Sequence, residues 1–241
     1  MLPETMPVCP VRGSVIYPTM VMPIDAGRPI SIRAIDEALA RDRVLLIVSQ
    51  RDKEVETPRP SDLFEVGTAC NILKMRKNPD GSVQVLVQAF ARVRVREWLD
   101  LGDHLEARGE VLADEPGEPI LVKALVREVK DKFQALLKEG KYLAPEVAQF
   151  ILNLEDPSQL ADYVAFHMDF RLEDKQKVLE TANVAERLRA VLVLLEAELA
   201  LIETQRRIQQ QVKEEIDRNQ REYFLREQMK AIQRELHGEE G

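Results

Sequence analysis

The sequence predicts an α+β fold: a small N-terminal β-barrel-like domain with one helix, then an α-helical bundle, then a very long C-terminal helix. Three observations predict it. Short β-branched runs dominate up to Pro116. Helical periodicity takes over after it, and strands followed by helices in separate blocks mark a segregated architecture. From Asn183 to Leu236 the chain contains neither Pro nor Gly, and a helix of that span would be roughly 80 Å long at 1.5 Å per residue.

The strand candidates begin with Met6 to Val11, Val15 to Ile16 and Met20 to Ile24. Pro7, Pro10, Pro18 and Pro23 sit in or beside these runs. Proline cannot donate to a ladder, which places these strands at edges or sharp bends. Arg28 to Ala40 reads as a helix, with Ile32, Ile35 and Leu39 at spacings of three and four. Val44 to Ser49 is continuously apolar, as a strand buried on both faces is. Asp52 to Ser61 is a charged loop holding Pro58 and Pro60. Gly67 to Arg76 and Ser82 to Arg96 flank Asn78-Pro79-Asp80-Gly81, a hairpin signal. Val83, Val85 and Val87 share one face, and Val93 and Val95 share another further along. Phe90 breaks the phase, which predicts a bulge between Gln88 and Ala91. With His104 to Leu112 added, the strands suffice for a closed or half-closed barrel.

Glu115-Pro116-Gly117-Glu118-Pro119 reads as a linker. Amphipathic helices are predicted over Ile120 to Lys138, Pro145 to Leu152, Ser158 to His167 and Leu172 to Glu180. Asn183 is the expected N-cap of the long helix, with Glu186 at the capping-box position. Its first part, Ala190 to Ile202, is apolar on most faces and is expected to be buried. Beyond it only a thin stripe remains: Ile208, Val212, Ile216, Tyr223, Ile232 and Leu236. A thin stripe on a polar helix indicates a projecting arm or a coiled-coil partner. The expected divisions are 1–116, β-rich; 117–182, helical; and 183–241, the long helix.

Composition narrows the function classes. Lys and Arg number 34 against 42 Asp and Glu, a net charge of −8, which argues against a general phosphate-backbone binder. Cys9 and Cys70 form no CxxC pair, which suits a reducing cytoplasm. No signal peptide is visible, and Glu196 and Glu198 break the most apolar stretch, so neither export nor a membrane partner is expected. No catalytic constellation is present. Gly140-Lys141 lacks the P-loop context, with Tyr142 in place of the hydroxyl residue and Ala135 in place of the first Gly. His104, His167 and His237 lie in no HExxH pattern, so no metal is expected. Glu214-Glu215 and Glu239-Glu240 read as solvated charge.

The motifs then carry a resemblance. Pro7-Val8-Cys9-Pro10-Val11-Arg12, Val15-Ile16-Tyr17-Pro18 and Met22-Pro23-Ile24 resemble the start of the Lon protease family. Asp62-Leu63-Phe64-Glu65-Val66-Gly67-Thr68, Leu73-Lys74-Met75, Leu160-Ala161-Asp162, Gln220-Arg221-Glu222-Tyr223 and Glu227-Gln228-Met229-Lys230-Ala231-Ile232 continue it in order. Cys9 and Val11 depart from the usual leucines. The resemblance implies a PUA-like barrel at the N-terminus of a bacterial ATP-dependent serine protease of the AAA+ class. It implies a cytoplasmic, ring-shaped homohexamer that uses ATP and Mg and associates with DNA. In that family the Walker motifs and the Ser-Lys dyad follow this region, so no catalytic residue and no cofactor is expected in this chain. The implied role is selection of unfolded, damaged or degron-tagged proteins for quality control and the stress response.

Adaptable apolar surface is what such a role requires, and methionine supplies it. Tyr17, Pro18, Met20, Met22 and Pro23 form the first candidate client contact, on a proline-rich edge. Tyr223, Phe224 and Met229 form the second, on the long helix. Two other classes stay open. Arg92, Arg94 and Arg96 alternate on one strand, either as a basic stripe for nucleic acid or, the favoured reading, as a solvated face with Val93 and Val95 inside. A small-ligand barrel is the other alternative, although Trp98 is the only Trp and no aromatic cage is visible.

Overall fold

The computed structural model describes residues 2–140 and 143–238, with side chains placed through Gln233. Lys141, Tyr142, Glu239, Glu240 and the side chains of Leu236 and His237 lie outside the described residues. Residues 2–195 form one compact unit and the residues after it a second.

Among the described residues six strands form one sheet: β1 (Met6–Val11), β2 (Val21–Ala26), β3 (Val44–Ser49), β4 (Val66–Lys77), β5 (Val83–Asp100) and β6 (Leu105–Val111), in the order β2-β5-β4-β3-β1-β6. β6 also pairs with β5, so β5, β4, β3, β1 and β6 close into a barrel and β2 lies at an edge. The long β5 makes closure possible. Its first half pairs with β2, from Val83 to Gln88, and its second half with β6, from Val93 to Asp100. Between them Cys70 pairs with Ala89 and Ala69 with Ala91. Phe90 is therefore the extra residue of a bulge, where the broken phase placed it.

β2 with Pro23 is an edge strand, as expected, but β1 is not. It pairs with β6 over Met6–Val8 and with β3 over Val8–Val11. Pro7 precedes the first β3 partner and Pro10 lies past the last β6 partner, so neither missing N–H interrupts a ladder. Val15 and Ile16 form no strand. They are buried loop residues whose backbone is held by side chains: Thr68 Oγ1 donates to the Ile16 carbonyl at 2.6 Å, and Ser49 Oγ to the Ser14 carbonyl at 2.7 Å.

Two cores flank the sheet. The barrel interior holds Met6, Val8, Leu46, Val48, Val93, Val95 and Leu105. The second core lies beneath α1 (Pro29–Ala40), whose Ala34, Ile35 and Ala38 cover Cys9, Leu45, Ile47, Val85 and Val87. β3 feeds both cores by alternation, which is why its sequence is continuously apolar. Gly67 is required where β4 crosses β3: a Cβ there would stand 2.5 Å from the Ile47 carbonyl oxygen.

The helices are α2 (Pro119–Lys138), α3 (Pro145–Asn153), α4 (Pro157–His167), α5 (Leu172–Glu180) and α6 (Val184–Gly238). Each of α2, α4 and α6 has a side-chain cap. Glu118 accepts from Ile120 N and Leu121 N, Asp156 from Ser158 N and Gln159 N, and Asn183 from Glu186 N at 3.1 Å. Such caps satisfy the first-turn donors that a helix leaves without partners.

The stretch read as a linker is docked. Glu115 N donates to the Ala182 carbonyl at 3.0 Å, and Val184 N donates to the Glu115 carbonyl at 3.0 Å. Packing therefore does not divide at residues 116 or 182: the compact unit takes in the first turns of α6. Burial on α6 ends at Leu195, short of the expected Ile202, and Val193 and Leu201 are exposed.

Candidate functional site

In an antiparallel pair, residues directly opposite share a face. Met22 and Ile24 stand opposite Val87 and Val85 and pack against the core beneath α1. Val21, Pro23 and Asp25 stand opposite Gln88, Leu86 and Gln84 and turn outward. Val21 is 54% exposed, and the bulged Phe90 is 39% exposed. On the neighbouring β4, Leu73 is the extra residue of a second bulge and is also exposed. Isolated exposed apolar residues are ordinary, but a cluster of them at one corner of a sheet marks an interaction surface.

The backbone at this corner is strained. Thr19 has φ 68°, a left-handed conformation that a β-branched residue adopts only when its surroundings force it. The forcing bonds are Thr19 N to the Ala89 carbonyl at 2.9 Å and Ala89 N to the Met20 carbonyl at 2.8 Å. A cavity of about 280 Å³ opens here, with Pro18, Thr19, Phe90 and Val111 on one side and Gln159 of α4 and its cap Asp156 on the other.

Of the first candidate cluster only part is surface. Pro23 is exposed, and Pro18 and Met22 are half-buried. Tyr17 and Met20 are a correction: both are buried core residues. The Tyr17 hydroxyl donates to the Lys175 carbonyl at 2.8 Å, and burial pushes its phenol well above the usual range. The segment lies over the sheet because its carbonyls are anchored by Thr68 and Ser49. Tyr223, Phe224 and Met229 are each more than 60% exposed on the helical second unit, as are Ile208, Val212 and Ile216 to about half.

The favoured reading of Arg92, Arg94 and Arg96 as a solvated face is the second correction, at Arg92. Val93 and Val95 do face the barrel interior, but Arg92 is only 3% exposed. Its Nη2 donates to both Asp162 oxygens at 2.5 and 2.6 Å, and its Nη1 to Asp114 Oδ1 at 3.3 Å. Arg187, fully buried on α6, donates to Asp114 at 2.6 Å, to Ser158 Oγ at 2.6 Å and to the Thr181 carbonyl at 2.8 Å. Burial pushes the Asp162 carboxyl up to about 6, against the pull of Arg92 and Arg187. Burial also raises Asp114, but hydrogen bonds from Arg187 and Ser158 outweigh it and hold that carboxyl below its usual range. Arg96 is exposed and paired with Glu110. Two of the three arginines are thus already neutralised, which removes the stripe.

The cluster ties β5, α4 and α6 together and fixes α4 as one wall of the corner cavity. Sequence reading missed it, although one signal existed. Arg187 falls on the same helical face as Val184, Leu188, Val191 and Leu195, where an unpaired cation is not tolerated. Among the described residues no group of His, Cys, Asp and Glu is placed to hold a metal ion, and no helix is long and apolar enough to cross a membrane.

A barrel with one covering helix followed by packed helices is the architecture of Lon N-terminal domains. The N-terminal domain of a Mycobacterium avium complex Lon protease superposes with TM-score 0.66 at 27% identity, covering 80% of this chain and 98% of that one. A Lon N-terminal domain protein from Xanthomonas campestris shares the fold, with TM-score 0.53 at 12% identity, covering 78% of this chain and 97% of that one. The chain belongs to the family described as the ATP-dependent protease La (LON) substrate-binding domain, whose model matches residues 5–197. It is 41% identical over 230 residues to the Lon protease of Escherichia coli K12, covering 95% of this chain and 29% of that protein. It is 37% identical over 236 residues to the Lon protease of Brevibacillus choshinensis, covering 98% of this chain and 30% of that protein. The chain thus spans less than a third of the length of these curated relatives.

Proposed function

We propose that this chain is the client-recognition region of a Lon-type ATP-dependent serine protease. The parent would use ATP and Mg and work as a cytoplasmic homohexamer in protein quality control. The clients are unfolded, damaged or degron-bearing proteins, and the chain meets them through exposed apolar side chains. The observation that carries this reading is the apolar corner built by Val21, Pro23 and Phe90 around the strained Thr19. Unfolded chains expose the apolar residues that folded proteins bury, and a corner of small and aromatic groups with half-buried Met22 behind it adapts to many of them. Tyr223, Phe224 and Met229 offer a second apolar surface for the same clients.

The test is binding of a reduced, alkylated and permanently unfolded protein to the chain, followed by fluorescence anisotropy. Val21→Asp combined with Phe90→Asp places two charges on the corner. Binding is expected to weaken by about tenfold or more, as loss of central apolar contacts does, while the melting temperature holds. Unchanged affinity in a folded double variant would remove the corner as the client site.

A further inference from the structure

A second cavity lies elsewhere, as an open cleft of about 530 Å³ between the start of β4, the middle of β5 and α5. Its walls carry charge of both signs: Arg51 and Arg94 against Glu65, Glu173 and Glu180. Among the described residues, none of these five forms an ion pair within 4.0 Å, although ion pairs are frequent elsewhere on the surface. Arg51 is held by its Nε alone, which donates to the Leu63 carbonyl at 3.0 Å while the guanidinium stacks 4.5 Å over the Phe64 ring. Its terminal nitrogens remain open. Glu180 accepts from Gln176 Nε2 at 2.8 Å, and the same nitrogen donates to the Val66 carbonyl at 2.8 Å. These two acceptors fix the orientation of the Gln176 amide, since the reverse orientation would set oxygen against oxygen. Its buried Oε1 then has no hydrogen-bond partner among the described residues.

Open guanidinium donors and open carboxylate acceptors around one cleft call for a ligand with two features. It needs an anionic end and a cationic end. Guanidinium groups match a carboxylate geometrically, and carboxylates match an ammonium. The cleft falls within the volume range of small-molecule sites, larger than one water-filled notch requires.

We propose that this cleft binds a short peptide with both termini free, its carboxylate on Arg51 and Arg94 and its ammonium on Glu173 and Glu180. Short free peptides are the chemical class that peptide-bond hydrolysis releases, so, resting on the protease reading proposed above, the cleft would meet product rather than client. This assignment stands apart from the apolar corner, and either can fail without the other.

The experiment is a titration of the whole chain with dialanine, read by two-dimensional amide NMR, with N-acetyl-dialanine-amide as the capped control. Free dialanine is expected to shift the Val66 amide and the Gln176 side-chain signals, and to lose affinity as salt rises. The capped peptide lacks both charges and is expected to bind at least tenfold more weakly. Arg94→Gln and Glu173→Gln each remove one end's partner and are expected to cost tenfold or more. Equal binding of the capped peptide would overturn the proposal, as would shifts confined to another region or no shifts at millimolar peptide. The free-against-capped comparison on the unaltered chain decides the matter even if a variant folds poorly.

Discussion

Replacing Arg187 with Met keeps most of the side-chain volume and deletes the charge. In the native protein this guanidinium meets Asp114, Ser158 and the Thr181 carbonyl with no exposure of its own. Removing one partner of a buried ion pair costs about 3–5 kcal/mol, because the other charge stays behind unpaired. Asp114 retains Ser158 at 2.5 Å and Arg92 at 3.3 Å, and its side chain is 37% exposed. Water can therefore reach it, which places the loss at the low end, about 3 kcal/mol. For a chain of this size that is a drop of about 6–12 °C in melting temperature. Urea unfolding followed by the emission of Trp98, the only tryptophan and packed against the barrel interior, reads the effect inside the barrel. Adding Asp114→Leu removes the stranded charge and should return about 1–2 kcal/mol, a coupling typical of directly paired residues. A single-variant loss below about 1 kcal/mol, or a double variant that recovers nothing, would refute the account of this cluster as the clamp between barrel and helices.

Three further outcomes follow from particular contacts. Gly67→Ala sets a Cβ 2.5 Å from the Ile47 carbonyl oxygen; backbone must move, and a loss of about 3 kcal/mol is expected in urea unfolding. Met20→Ser is expected to cost about 2–4 kcal/mol as a core deletion, whereas Pro23→Ser, exposed on the edge strand, should stay within about 0.5 kcal/mol; calorimetry separates them. Burial pushes the Glu106 carboxyl up, but hydrogen bonds from Arg41 and His104 outweigh it and hold it below its ordinary 4.5. A depressed folded value means the stabilisation is complete above 4.5 and is lost as pH falls through that lowered value. Arg41→Gln should therefore cost about 2 kcal/mol at neutral pH and progressively less in acid, as measured by stability against pH.

The readable part of the fold was the part governed by local pattern. Alternation located β5, the broken phase at Phe90 located its bulge, and the apolar run of Val44–Ser49 announced burial on both faces. Charge and exposure were harder to read, because they depend on partners distant in sequence. Arg92 looks like its neighbours Arg94 and Arg96 along the strand, and only Asp162, seventy residues away, makes it a buried residue. Tyr17 and Met20 looked like surface because prolines surround them. Their burial depends on Thr68 and Ser49 anchoring the loop carbonyls, side-chain to backbone bonds that leave no periodic trace. The apolar corner was half legible: Pro23 was found, while Val21 and Leu73 needed the strand register to decide which face they occupy.

β5 is held by β2 and β4 over Val83–Gln88 and by β4 and β6 at Val93 and Arg94, and this has a kinetic side. Closure also needs Met6–Val8 to meet Leu105–Ala107, so the first strand waits for the last. Such a ring has high contact order, and chain-closure entropy must be spent before the barrel interior rewards it. During synthesis the β4–β5 hairpin can form alone, but its second half stays an open edge until β6 emerges. The slowest amide exchange in the barrel should then fall at Val93 and Arg94, where β4 and β6 must both separate before a proton is released.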